Sequence, residues 1–89
     1  MAEHELKILP AFFAAVQDGT KTFEVRRDDR GFAVGDVLHL RERHPMAGYT
    51  GRELRRVVTF MLAGGQYGIE AGYCVLGLLD AEVTEGALG

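Results

Sequence analysis

The chain has a single cysteine and no apolar run approaching the roughly 20 residues that cross a membrane as a helix. Cys74 has no partner for an internal disulfide. It sits in the apolar stretch Tyr73–Leu79 and reads as a buried thiol rather than a nucleophile. The three histidines, His4, His39 and His44, lack metal-ligand spacing, so neither a structural metal nor a cofactor is expected. The glycine-rich stretch Gly64–Gly72 has no Walker Lys-Ser/Thr pair and no Rossmann spacing, which excludes nucleotide-phosphate loops of those two kinds. There is no internal repeat and no low-complexity segment. The opening residues Met-Ala-Glu-His-Glu lack the basic and apolar regions of a signal peptide. The expectation is a cytoplasmic protein without a membrane partner.

What is present suits one small domain: 89 residues, 47% of them hydrophobic. The net charge of −3 is unevenly spread. Thr20–Arg56 holds nine Lys/Arg against six Asp/Glu, while the remainder holds one against seven. Such a split either puts a basic face on an acidic protein or is neutralised locally by Asp28, Asp29, Glu42 and Glu53.

In chain order, His4–Leu9 reads as a first strand with Leu6 and Ile8 on one face. Pro10 suits the first turn of a helix ending before Gly19, with Phe12, Val16 and Phe13 offered to the core. A strand over Thr22–Arg27 follows, then the turn Asp28–Gly31 and a short extended piece, Phe32–Asp36. Val37–Arg43 is a strand, His44–Gly51 a loop, and Arg52–Leu62 the longest strand. After the glycine-rich loop, Tyr73–Leu79 is a last buried strand. The fold class is α+β and mainly β: a small curled sheet or partly open barrel of about five strands with one or two helices. One domain is expected over residues 1–80, with 81–89 as a frayed acidic tail.

The stretch Gly19-Thr20-Lys21-Thr22-Phe23-Glu24-Val25-Arg26 organises this pattern. Gly19 takes a positive φ without steric cost and ends the helix. Strict alternation then assigns Phe23 and Val25 to a core face, and Thr22, Glu24 and Arg26 to a polar one with Lys21 at its entrance. The arrangement is either an anion site or an edge strand carrying an ion pair.

This stretch resembles the Gly-x-Lys-x-x-x-x-Arg signature of ASCH domains, in the PUA-like superfamily. Phe32–Asp36 is similar to the segment that follows the signature. Gly64–Tyr73 resembles the closing run of a small bacterial and phage subgroup of that superfamily. The resemblance spans about Glu3–Leu79. It implies a β-barrel of five or so strands with a cleft beside it that holds Lys21 and Arg26. It also implies RNA as the usual partner, with ribonuclease and nucleoside-amidohydrolase activities among relatives. The amidohydrolase relatives place a Thr three residues after the Lys. That position is Glu24 here, a departure from the pattern, and Thr20 and Thr22 stand in a different register.

Three classes of function follow as expectations. The first is a module binding RNA or a nucleotide. Lys21 and Arg26 anchor phosphate, Glu24 orients the ligand, and a loop with Gln66, Tyr67 and Glu70 closes over it, Tyr67 stacking on a base. Arg52, Arg55 and Arg56 add a non-specific phosphate track or form the solvated face of a strand. The second is an enzyme on the same cleft, a single-stranded-RNA ribonuclease or a modified-nucleoside amidohydrolase, with Lys21 and Glu24 catalytic. The third is a protein-interaction module using an exposed strand edge. His39 reads as a core or interface residue, whereas His4 and His44 stand in exposed-looking contexts.

Overall fold

The computed structural model describes residues 1–80; the tail expected over 81–89 lies outside them. The elements are β1 (Glu3–Ile8), α1 (Pro10–Asp18), β2 (Phe23–Arg27), β3 (Val37–His44), β4 (Gly48–Ala63) and β5 (Tyr73–Asp80). All five strands join one sheet in the order β1-β3-β4-β5-β2, with β1 parallel to β3 and the other pairs antiparallel. The sheet curls into a half-barrel, as the mainly β reading expected.

The core lies on the concave face. Leu6 and Ile8 of β1, Leu38 and Leu40 of β3, Val58 of β4, and Cys74, Leu76 and Leu78 of β5 are buried there with Phe13 and Val16 of α1. Alternate residues of each strand supply this face, as the pleat requires. The helix starts with Pro10 and stops at Gly19, whose φ is +87° and whose N–H donates to the Val16 carbonyl. At nine residues it is too short to persist alone, so its Phe13–Val16 stripe holds it in place. Phe12, expected in the core, is half-exposed. It lies about 100° round the helix from Phe13, and only one of the two can face the sheet.

The largest correction concerns β2. Its faces are the reverse of the expected ones: Glu24 is only 4% exposed, whereas Phe23 and Val25 are 44% and 53% exposed. Pairing with β5 explains this. Glu24 stands opposite Leu76 and Arg26 opposite Cys74, both inward-facing, and cross-strand partners share a face. Phe23 and Val25 therefore join Gly77 and Val75 on the convex side.

Other departures are smaller. Phe32–Asp36 is a turn rather than an extended piece. The Asp36 carboxylate organises it, accepting from the Ala2 and Ala33 N–H groups at 3.0 Å and meeting His4 Nε2 at 2.9 Å. His4 is thus largely buried, edge-on to Phe32, and not exposed. The expected loop His44–Gly51 is a tight hairpin in which Arg43 pairs with Tyr49 and His44 with Gly48. His44 is exposed as expected, its Nδ1 accepting the Met46 and Ala47 N–H groups. His39 lies on the convex face between Glu53, at 2.6 Å, and Glu5, at 3.7 Å.

Strands β1 and β2 are the two edges of the sheet, and the curl brings them towards each other. Guanidinium groups bridge the gap: Arg26 donates to the Lys7 carbonyl at 2.9 Å and Arg30 to the Glu5 carbonyl at 2.7 Å. Carbonyls that an edge strand leaves unpaired are satisfied in this way.

Candidate functional site

The site lies in that gap. Gly19 turns the chain out of α1, and the Lys21 N–H returns to the Ala15 carbonyl at 2.9 Å, which fixes Lys21 beside the helix. Two residues on, β2 begins and pleating turns Glu24 and Arg26 inward together.

The Glu24 carboxylate has a cation on each oxygen. Lys21 Nζ donates to Oε1, and Arg26 Nε donates to Oε2 at 2.8 Å. Lys21 also donates to the Phe23 carbonyl at 2.8 Å, and its ammonium lies 5.4 Å from the centre of the Phe12 ring and 5.1 Å from that of Phe23. Both rings are close enough to attract the charge. Lys21 and Arg26 therefore converge, and they converge on a shared carboxylate.

Open space adjoins this triad. A cleft of about 470 Å³ is lined by Lys7, Ile8, Leu9, Phe12, Lys21 and the β2 residues Phe23–Arg26. A neighbouring hollow of about 370 Å³ shares Lys7, Ile8, Leu9 and Arg26 and adds Arg43 and Pro45. The combined wall holds four cations, Lys7, Lys21, Arg26 and Arg43, against one carboxylate, Glu24. Lys7 and Arg43 form no ion pair among the described residues. Charges of one sign in a concave site concentrate the field and draw anions in. Sequence reasoning missed Lys7 and Arg43, which are simply polar positions at the ends of β1 and β3. Parallel pairing of β1 with β3 sets these two near each other, and the curl brings the β2 edge with Arg26 up to them.

The glycine-rich loop stands elsewhere. It forms a second hairpin, with Gln66 bridged to Ile69, and Tyr67 and Gly68 at φ +52° and +76°. Gln66 donates to the Ala63 carbonyl at 2.8 Å, inside its own turn, and Tyr67 is 85% exposed. Glu70 lines a separate hollow of about 370 Å³ with Val25, Gly68, Ile69, Tyr73 and Val75. None of Gln66, Tyr67 and Glu70 lines the cleft, which corrects the expected closing role. The loop borders the convex side, where Val25 points, while Glu24 and Arg26 point the other way.

The arginine track also fails to form. Arg52 bonds Gln17 at 2.7 Å and stacks over Phe13, and Arg56 donates to the Val16 carbonyl at 3.2 Å at the end of α1. Both meet the helix, whereas Arg55 pairs with Glu3 at 3.4 Å and stands opposite His39 on the convex face. Alternation along β4 separates residue 55 from 52 and 56.

Local electrostatics match these contacts. Asp36 is held below the usual carboxylate range, first by the Ala2 N–H and then by His4. Glu53 is held low by its hydrogen bond from His39, and Asp18 by the Thr20 hydroxyl. Burial pushes the Cys74 thiol up, and it is fully enclosed, as expected of a packing residue.

No helix among the described residues is long and apolar enough to cross a membrane. No curated protein matches the chain. A family model matches residues 3–78, and its description is Domain of unknown function (DUF3850).

Proposed function

The chain belongs to the DUF3850 family, whose description assigns no activity, and from the cleft itself we propose that it is a cytoplasmic RNA- or nucleotide-binding module related to ASCH and PUA-like domains. The observation that carries this reading is the fourfold cluster of Lys7, Lys21, Arg26 and Arg43 around one carboxylate in an open cleft. A guanidinium forks onto two phosphate oxygens, and an ammonium adds a mobile point charge. Lys7 and Arg43 are the first anchors, since Lys21 and Arg26 are already engaged by Glu24. Phe12 and Phe23, both about half-exposed on the same wall, offer ring faces to an unstacked base. The likeness of Gly19–Arg26 to the ASCH signature supports the same reading.

Fluorescence anisotropy with labelled single-stranded RNA over a salt series tests it. Affinity falls as salt rises, and the double change Lys7→Ala with Arg43→Ala abolishes it. Binding indifferent to both salt and substitution overturns it.

One observation favours a second reading, an enzyme on the same cleft. The Lys21 ammonium and the buried Glu24 carboxylate meet on the cleft wall, which puts two groups of the kinds used in acid–base chemistry beside one bound substrate. On this reading single-stranded RNA or an acylated cytidine is turned over, and Lys21→Ala removes the activity. A purified preparation that leaves both substrates intact retires it.

A further inference from the structure

The two halves of the cleft differ in charge. Lys7, Arg26 and Arg43 line the smaller hollow, and its other walls, Ile8, Leu9 and Pro45, are apolar, so no carboxylate faces the three cations. Glu24 and both phenylalanines belong to the larger hollow beside it. Arg26 spends one N–H on Glu24 and one on the Lys7 carbonyl, and the rest of its fork stays available. The Arg43 guanidinium lies 5.6 Å from the centre of the Tyr49 ring, a contact that does not neutralise its charge. Outside the cleft the neighbouring cations are matched. Arg30, which also crosses the gap, is committed to the Glu5 carbonyl and to Asp29 at 3.6 Å. By the helix, Arg56 is held by the Val16 carbonyl and Asp80, and Arg52 by Gln17 and, at 3.8 Å, Glu42. A strand running on past the cleft meets arginines that acids already neutralise.

From this confinement we infer that the cleft takes a terminal phosphate: a phosphomonoester, on a free nucleotide or on the end of an RNA strand, in preference to the interior of a strand. The inference rests on the anion-binding reading proposed above and narrows it. An internal phosphodiester offers a single negative charge. A phosphomonoester carries about −1.5 to −2 near neutral pH and offers three strong acceptor oxygens at one point. Three cations around one hollow, with no opposing acid, match the second far better. A ligand that gains by length needs a track of free cations, and none continues from here among the described residues. The volumes agree. At about 370 and 470 Å³, both hollows fall within the range of roughly 300–1,000 Å³ that holds one small ligand. With the phosphate on Lys7, Arg26 and Arg43, the base of the same nucleotide enters the adjoining half, where Phe12 and Phe23 are half-exposed.

Fluorescence anisotropy of the full chain tests this with one oligoribonucleotide of about 6 nucleotides, carrying a 5′-phosphate, a 3′-phosphate or hydroxyls at both ends, and labelled away from the phosphate. At least one phosphorylated form should bind about tenfold or more tighter than the hydroxyl-ended strand, the scale of an added charge-assisted contact. Lengthening the hydroxyl-ended strand to about 18 nucleotides should not close that difference. Lys7→Ala and Arg43→Ala should each cut the preference to within about threefold. Competition separates the two sources, and either result supports the inference: a nucleoside 5′-monophosphate that displaces the strand at the strand's own affinity identifies a free nucleotide, and a weaker one identifies a strand end. Phosphorylated and hydroxyl-ended strands that bind equally, with an affinity that falls as salt rises, overturn the inference and leave the RNA-binding reading standing. A preference that survives both Lys7→Ala and Arg43→Ala overturns it as well. Binding of none of these probes at low salt overturns the inference together with the reading beneath it.

Discussion

Replacing Glu24 by glutamine keeps the side chain's shape and removes its charge, with opposite effects on stability and on anion binding. Glu24 is 4% exposed and receives one hydrogen bond from Lys21 and one from Arg26. Removing one partner of a fully buried ion pair costs about 3–5 kcal/mol, because the remaining charge is stranded. The two cations keep 17% and 22% of their side-chain exposure and can reach some water. The expected loss is therefore smaller, about 2–3 kcal/mol. In a domain of this size that lowers Tm by roughly 10–20 °C, readable by calorimetry. The same change frees two positive groups in a cleft that already carries Lys7 and Arg43. Each phosphate newly neutralised on a single strand steepens the fall of log affinity with log salt by about 0.7, so Glu24→Gln should steepen it by up to about 1.4. Anisotropy titrations of labelled RNA at several salt concentrations measure this. A melt shifted by less than about 2 °C together with an unchanged salt slope would falsify the reasoning. The triad would then be neither a structural tie nor a mask over the two cations.

Three further outcomes follow. Lys7→Ala and Arg43→Ala, which break no ion pair among the described residues, should each flatten the salt slope by about 0.7 while leaving the melt in place. Asp36→Asn should destabilise by about 1–3 kcal/mol at neutral pH, because three donors converge on the carboxylate. The folded-state pKa of Asp36 lies below its ordinary value of 3.8, so its contribution is complete above that value and disappears as pH falls through the folded pKa. Denaturant melts of wild type and Asp36→Asn should accordingly draw together in acid. Tyr67→Asn should raise stability by about 0.5–1 kcal/mol, since Tyr67 holds φ +52° before Gly68 and an Asn-Gly pair suits that turn better.

Much of the architecture was legible because its signals are local. Pro10 and Gly19 bound a helix, since one lacks an N–H the first turn does not need and the other takes φ +87° freely. The strands β1, β3 and β5 fell close to their expected ranges, with Leu6, Ile8, Leu38 and Leu40 on the inner face. The misses share a cause. The His44–Gly51 segment has turn composition, yet cross-strand bonds carry β3 and β4 through most of it. Phe12 and Phe13 look alike in a helix until a sheet selects one of them.

The candidate site was half legible. Lys21, Glu24 and Arg26 stand out as charged residues next to a helix-to-strand boundary, and they do meet. Lys7 and Arg43 carry no such mark, because a charged residue near a strand end is ordinary. Gln66, Tyr67 and Glu70 drew notice from their glycine-rich setting, which sets how tightly the hairpin turns but not which side of the sheet it borders.

Residue order alone determined where most of the turns fall, which segments run extended and which side chains alternate along them, because each depends on a few neighbouring bonds. It could not determine which side of β2 lies inside. A pleat of period two defines two faces and is silent about which is buried. That choice came from the register with β5, which puts Glu24 opposite Leu76 and Val25 opposite Val75. A carboxylate went into the half-barrel with two cations to neutralise it, and the apolar residues were left on the outer surface.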